Sequence, residues 1–296
     1  MNLTDHEFTL LRQCLLHLSG IEIPVEKRYL FTTRLDDLVM HEKCASFSDL
    51  FKKLTAKEGD VCRRHFVESM TTHESGFFRD GHPFQAFLEV ALPAIAGRKV
   101  GQAHYLSPRL RILSVGSSFG QEPYSIAICV REWLVNQSVF QLQNISIMGI
   151  DISHQAIERA KKCVYSKLEL GKHLPPKYRE NYFVKQGDRW AVSEEIRKMV
   201  IFEERNITSS LGDLGKFDIV FCRNVIIYFP LEMRKNVIGK LHGLLEPEGA
   251  LFLGSAESLF NVSDEFMSRN IGETVYYTAL PADSTLEKHD EPRSGL

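Results

Sequence analysis

The chain has 296 residues, of which 44% are apolar and 25% charged. That length admits one large domain or two smaller ones, and the composition excludes a mostly disordered or fibrous protein. No apolar run reaches the roughly 18 residues of a membrane span, and a net charge of −2 argues against a dedicated nucleic-acid binder.

The N-terminal quarter reads as helices. Thr4 followed three residues later by Glu7 forms a capping box. Behind it Phe8, Leu11, Leu15 and Leu18 recur at helical spacing, and Gly20 fits a C-terminal stop. A second helical stretch is expected from about Val25 to His41, a third around Phe47 to Leu54, and a fourth from about Asp60 to Met70. Together they predict an all-α N-terminal domain over residues 1–80. Its last ten residues, Thr71-Thr72-His73-Glu74-Ser75-Gly76-Phe77-Phe78-Arg79-Asp80, are neither cleanly helical nor cleanly alternating. A capped loop anchored by its two phenylalanines is the plain expectation, and a connecting segment follows to residue 108.

From Leu110 the chain alternates strand and helix. Leu110–Val115 is a short apolar strand that runs into Gly116-Ser117-Ser118-Phe119-Gly120, and a helix is expected from about Pro123 to Trp133. A second strand, Ile145–Ile150, ends on Asp151. Phe217–Cys222 is a buried-type strand running into Arg223-Asn224-Val225; Leu251–Leu253 and Thr274–Thr278 are late strands. This alternation predicts a mostly parallel sheet covered on both faces, over residues 109–280. Between about residues 165 and 203 the pattern breaks. The runs Tyr182-Phe183-Val184, Trp190-Ala191-Val192 and Met199-Val200-Ile201 suggest a small antiparallel insertion. The polar stretch from Pro281 to Leu296 is expected to be disordered. The six cysteines (Cys14, Cys44, Cys62, Cys129, Cys163, Cys222) include no Cys-x-x-Cys pair, and no basic segment leads into an apolar one at the start. Reduced thiols in a cytoplasmic protein are expected.

Ligands on such sheets lie beyond the carboxyl ends of the strands, where Gly116, Asp151 and Cys222 all fall. A dinucleotide site wants Gly-x-Gly-x-x-Gly with an acidic residue about 20 residues on. Here the second glycine is missing, and Asp151 lies about 30 residues past Gly120. With no pyrophosphate to cradle, the glycine requirement relaxes. An adenosyl group carrying an amino acid fits better, with its ribose on Asp151 and its cationic end near Glu122. S-adenosylmethionine is therefore preferred to a nicotinamide dinucleotide.

Four separated segments carry a resemblance to a known family: Thr71-Thr72-x-Glu74-Ser75-x-Phe77-Phe78-Arg79-Asp80, Gly120-Gln121-Glu122-Pro123-Tyr124-Ser125, Asp151-Ile152, and Phe221 to Phe229 (Phe-Cys-Arg-Asn-Val-Ile-Ile-Tyr-Phe). In this order they resemble the CheR chemotaxis methyltransferases, over nearly the whole chain up to about Leu280. The resemblance implies a Rossmann-like S-adenosylmethionine-dependent methyltransferase domain with a small inserted antiparallel β-subdomain, preceded by an all-α N-terminal domain. It implies methylation of glutamate side chains on chemoreceptors, with S-adenosylhomocysteine as product and no metal. By position, His73, Ser75 and Arg79 would approach the cofactor. Glu122 would meet its amino-acid portion and Asp151 its ribose, Asn206 and Ile207 would frame the adenine, and Cys222 and Arg223 would complete the pocket. Arg79 and Tyr228 would lie closest to the transferred methyl and act in catalysis. The partner implied is the cytoplasmic helical region of chemoreceptors. A monomer is expected, with no nucleic acid bound and no membrane insertion.

Three positions differ from the usual family pattern: His73 where Asn is common, Phe119 where Thr is common, and Gln121 in place of the first of two acidic residues. His65, His73 and His82 have no metal-ligand spacing. The insertion between Phe183 and Phe202 is shorter than in members that grip a receptor's C-terminal pentapeptide, so no such tether is expected. The alternative class is an S-adenosylmethionine-binding regulatory module in a chemotaxis-like pathway with little or no transferase activity.

Overall fold

The computed structural model describes residues 2–101 and 108–281. The stretch expected to be disordered therefore lies outside the described residues, except for Pro281.

Four helices form the N-terminal unit: α1 (Asp5–Ser19), α2 (Tyr29–His41), α3 (Phe47–Thr55) and α4 (Asp60–Met70). The capping box ahead of α1 is present. Glu7 N–H donates to Thr4 Oγ1 at 3.3 Å, and Thr4 N–H to Glu7 Oε2 at 2.9 Å. Gly20 closes α1 in the left-handed region at φ 76°. The second helix begins later than its apolar pattern suggests. Val25–Lys27 forms a separate 3-10 turn after Pro24, and no side chain caps the start of α2. Phe8, Leu11, Leu15, Phe31, Leu35, Leu50 and Phe66 fill the core between these helices.

Glu7 does more than cap. Its other oxygen accepts from Ser48 N–H at 2.9 Å and Ser48 Oγ at 2.7 Å, which ties the first turn of α1 to the first turn of α3. These donors outweigh the cost of burial and hold the Glu7 pKa at about 2, with the Thr4 N–H the largest cause.

The segment after Asp80 is helical where the sequence left it unassigned. It comprises α5 (His82–Ala86), a π-helical turn (Phe87–Ala91) and α6 (Leu92–Gly101). Phe84, Phe87, Leu92 and Ile95 pack into the core below the sheet. The π-helical turn breaks the 3.6-residue period of buried positions, and this hides the element from pattern reading.

The strands and helices that follow are β1 (Leu110–Val115), α7 (Gln121–Leu134), β2 (Ile145–Asp151) and α8 (His154–Lys162). Next come β3 (Val164–Ser166), α9 (Lys167–Leu170), α10 (Pro176–Tyr182), β4 (Phe183–Gln186), β5 (Arg189–Val192) and α11 (Glu194–Arg197). The chain closes with β6 (Val200–Glu204), β7 (Phe217–Cys222), α12 (Leu231–Leu244), β8 (Leu245–Leu253), β9 (Phe266–Ile271) and β10 (Thr274–Ala279). The main sheet has seven strands in the order β6-β2-β1-β7-β8-β10-β9. Its first five are mutually parallel, and β10 and β9 close it as an antiparallel hairpin.

Side chains alternate between two cores. Ile112, Ile147, Ile219 and Phe221 face one layer, with α7 and the segment from α5 to α6. Leu113, Val115, Met148 and Val220 face the other, with α12. The strand order reverses between β1 and β7, so a crevice opens beyond their carboxyl ends.

The small antiparallel sheet exists, with the order β3-β5-β4. Its membership corrects one expectation: the run Met199-Val200-Ile201 does not belong to it. Val200 pairs with Ile147 in parallel, as an edge strand of the main sheet, and Val164–Ser166 supplies the third strand instead. Strand β9 has no alternating pattern because, as an exposed edge, it buries neither face.

Because the Glu7 pKa of about 2 lies below the ordinary 4.5, its stabilising contribution is present above about pH 4.5 and is lost as pH falls toward 2. Glu7→Gln is expected to lower the urea midpoint at pH 7. The gap to wild type should narrow between about pH 5 and pH 3; a gap independent of pH in that window contradicts this account.

Candidate active site

Four segments meet at the crevice. The first is the turn between β1 and α7. Gly116 lies at φ 68°, and a Cβ there would sit 2.6 Å from Val225 Cγ2, so only glycine lets the loop after β7 pack so close. Ser118 is also left-handed, at φ 49°. Its N–H donates to Asp151 Oδ2 at 2.8 Å, while Ser153 N–H donates to Oδ1 at 2.9 Å. The Asp151 carboxylate thus pins the β1 turn to the start of α8. Burial raises its pKa, and the Ser153 and Ser118 donors and the neighbouring His73 oppose that rise.

The second segment is the loop from Thr71 to Gly81. Phe77 and Phe78 are buried as the sequence suggests, Phe77 edge-on to Tyr165 and Phe183 and Phe78 against Tyr178. Phe78 N–H donates to Ser125 Oγ at 3.0 Å, fixing the loop on α7. Between these anchors and the cavity, Arg79 donates to the Glu74 carbonyl at 2.8 Å and more loosely to its carboxylate at 3.4 Å.

Arg223, at the end of β7, joins both segments. Its side chain is 1% exposed. One nitrogen donates to Glu122 Oε2 at 3.0 Å; the other donates to Asp80 Oδ2 at 2.7 Å and to the Arg79 carbonyl at 3.0 Å. Glu122 also accepts from Ser114 Oγ at 2.9 Å. Burial raises the Glu122 pKa, and the Arg223 guanidinium opposes that rise.

The helical unit supplies the fourth side. Glu22 N–H donates to the Tyr228 carbonyl at 2.9 Å, and Asn206 Nδ2 donates to the Leu18 carbonyl at 2.8 Å. Glu68 accepts from Gln155 N–H at 3.0 Å.

These segments enclose a cavity of about 650 Å³, within the range of small-molecule sites. His73, Ser75, Arg79, Glu122, Asp151, Asn206, Ile207, Arg223 and Tyr228 all line it. Cys222 does not: it is fully buried in the core against α12, and burial pushes its thiol pKa well up. A residue at the end of a strand can face the core as easily as the ligand crevice, and the alternation puts Arg223 on the cavity side and Cys222 inside. Asn206 lines the wall, but its side chain is committed, donating to Leu18 and accepting from Thr208 N–H and Oγ1. Lining residues that the sequence did not single out include Glu22, Lys27 and Arg34 from the helical unit. Nothing local in the sequence marks them, because the packing of one unit on the other brings them there.

Two of the three departures from the family pattern touch each other. The His73 ring lies 5.1 Å from the Phe119 ring, and the Arg159 guanidinium lies 4.4 Å from Phe119 on its own account. Burial lowers the His73 pKa, against the pull of Asp151 and Glu68.

The sequence matches the family model "CheR methyltransferase, SAM binding domain" over residues 73–275 and "CheR methyltransferase, all-alpha domain" over residues 6–71. It belongs to the CheR methyltransferase family. Among similar proteins, Chemotaxis protein methyltransferase 1 of Pseudomonas aeruginosa is 35% identical over 94% of this chain and 100% of its own. The Chemotaxis protein methyltransferase of Vibrio parahaemolyticus is 37% identical over 90% of this chain and 94% of its own. The chain is thus an S-adenosylmethionine-dependent methyltransferase of chemotaxis.

The cavity suits this cofactor. Ser118 Oγ is buried without a partner on the wall, beside a carboxylate that retains acceptor capacity. Among the described residues one group has metal-ligand spacing, His41, Glu42 and His65 at the far end of α2, and there Glu42 already pairs with Lys53. It lies outside the cavity.

Asp151→Ala is expected to weaken S-adenosylhomocysteine binding by about 1–3 kcal/mol, since polar groups of the ligand and the turn lose their acceptor. Calorimetric titration reads this directly. An unchanged affinity removes Asp151 from the site.

Proposed function

We propose that this protein methylates glutamate side-chain carboxylates on chemoreceptors, forming methyl esters in sensory adaptation, and that it works in the cytoplasm on the receptors' helical region. The observation that carries the reading is the convergence of Arg79 and Tyr228, from separate loops, on one cavity with Glu122 and Asp151.

Bound S-adenosylmethionine supplies an electrophilic methyl group on a sulfonium. Asp151 would hold the ribose, Glu122 the cationic amino-acid end, Asn206 and Ile207 the adenine edge, and His73 and Ser75 would close over it. A glutamate side chain has a pKa near 4.3, so the acceptor is anionic at neutral pH and no general base is required. The task of the protein is placement, which can supply up to roughly 7–11 kcal/mol. Arg79 suits this role. Its hold on the Glu74 carboxylate is loose at 3.4 Å, so an incoming carboxylate can replace it in a two-pronged contact. The Tyr228 hydroxyl can donate to the same group. Lys27 and Arg34 also line the cavity and favour an acidic acceptor, whereas Arg205 is already paired with Glu203 and Asp213. Charge is lost when a carboxylate attacks a sulfonium, so a water-poor site assists.

The β4–β5 hairpin is short, with four residues in each strand, and we propose that it grips no receptor pentapeptide. The regulatory reading keeps the same pocket and differs only in turnover.

The test uses methyl-labelled S-adenosylmethionine and membranes of the source organism from which this gene has been deleted. Base-labile label on receptor-sized bands is expected, including on receptors that lack a C-terminal pentapeptide. Arg79→Ala should reduce that labelling more than it reduces S-adenosylhomocysteine affinity. Normal ligand binding with no label returns the regulatory reading.

A further inference from the structure

Glu257 lies outside the cavity, in the turn after β8, and none of the motifs that suggested the family includes it. Its carboxylate is nevertheless the most heavily engaged acceptor around the loop that carries Tyr228. Oε2 accepts from Asn224 N–H at 2.7 Å and Gly254 N–H at 2.7 Å. Oε1 accepts from Val225 N–H at 2.9 Å and Ile227 N–H at 3.2 Å. Four backbone donors from two strand ends converge on one side chain.

The loop needs such a partner. The chain leaves β7 through Asn224 in the left-handed conformation, at φ 59°, and then makes a single 3-10 turn, Ile226–Tyr228. A turn this short satisfies few of its own N–H groups. The carboxylate takes the N–H of Ile227 in the turn and those of Asn224 and Val225 just before it, and its charge makes each bond stronger than a neutral acceptor would. Gly254 is part of the device: a Cβ there would sit 2.8 Å from Glu257 Oε2 and 2.9 Å from Asn224 N, so the absence of a side chain lets the two strand ends meet.

We infer that Glu257 is a positioning residue, which fixes Tyr228 at the reacting methyl by gathering the N–H groups of the Asn224–Tyr228 loop. This inference rests on the proposed role of Tyr228. The loop is tied at its start, by the ion pairs of Arg223 and the packing of Val225 on Gly116, and at its end, where the Tyr228 carbonyl accepts from Glu22 N–H at 2.9 Å; Glu257 holds the stretch between. It touches neither ligand nor acceptor; its effect passes through the loop. Glu257→Gln keeps the shape but offers an amide NH₂ to two of the four donors, which leaves them unpaired.

Two measurements test this. The first is amide hydrogen exchange on the whole protein. In Glu257→Gln the amides of Asn224, Val225 and Ile227 should lose protection at least roughly tenfold, while those of β1 and β7 stay as in wild type. The second is methyl transfer from labelled S-adenosylmethionine to the deletion-strain membranes. There kcat should fall roughly 10- to 100-fold, as expected for a misplaced group, with a much smaller change in S-adenosylhomocysteine affinity. In a Tyr228→Phe background the same substitution should cost no more than about twofold, because the two residues act through one another. Glu257→Asp, which keeps the charge on a shorter stem, should lie between Gln and wild type, and it carries the comparison if Glu257→Gln fails to fold. Unchanged protection of the loop overturns the inference. So does an equal loss of kcat in both backgrounds, or a loss of affinity that matches the loss of turnover. If Tyr228→Phe alone keeps full turnover, the catalytic reading of Tyr228 fails; if Tyr228→Phe is impaired and Glu257→Gln is not, only Glu257 fails.

Discussion

The cleft depends on one buried guanidinium. Arg223 emerges from the end of β7 and bonds at once to Glu122 in the first turn of α7 and to Asp80 and the Arg79 carbonyl in the loop after the helical unit. A buried cation is costly unless it is paired and hydrogen-bonded. Here the acidic partners come from segments more than 100 and more than 140 residues away in sequence. The cost of burying Arg223 is met only when the β1–α7 turn, the Thr71–Gly81 loop and the β7 end are all in place. That requirement makes the three segments one structure, and it sets the carbonyl of Arg79 directly on the guanidinium that faces Glu122.

A second constraint comes from the helical unit. It contributes Glu22, Lys27 and Arg34 to the cavity wall and meets the other unit through two hydrogen bonds, from Glu22 N–H to the Tyr228 carbonyl and from the Asn206 side chain to the Leu18 carbonyl. Residues from both units therefore enclose the cavity.

Much of this was legible in the sequence, for physical reasons. The capping box at Thr4 and Glu7 and the stop at Gly20 are local signals, and both stand where their spacing puts them. The parallel strands are continuous apolar runs because both of their faces are covered. Elements without a local signal were missed. The helical stretch after Asp80 has its period broken by a π-helical turn, β9 is an exposed edge, and the third strand of the small sheet is chosen by pairing rather than by composition. The candidate site divides in the same way. Gly116, Glu122 and Asp151 follow from chain positions at strand ends and helix starts, and Arg223 from the family resemblance. Cys222 was placed one residue too far into the cleft, since a strand's alternation decides which of two neighbours faces the core. Glu7's bond to Ser48 and Glu257's hold on four N–H groups span 41 and up to 33 residues and leave no pattern to read.

The most direct test of this account is the S-adenosylhomocysteine affinity of Arg223→Lys, measured by calorimetry on the folded variant. Lysine keeps the charge but cannot fork toward Glu122 and Asp80 together. If one guanidinium holds the three segments in register, the affinity should fall at least about tenfold, because the bidentate geometry is lost. An affinity within about twofold of wild type would contradict it, and the cleft would then owe its shape to the packing around Arg223 alone.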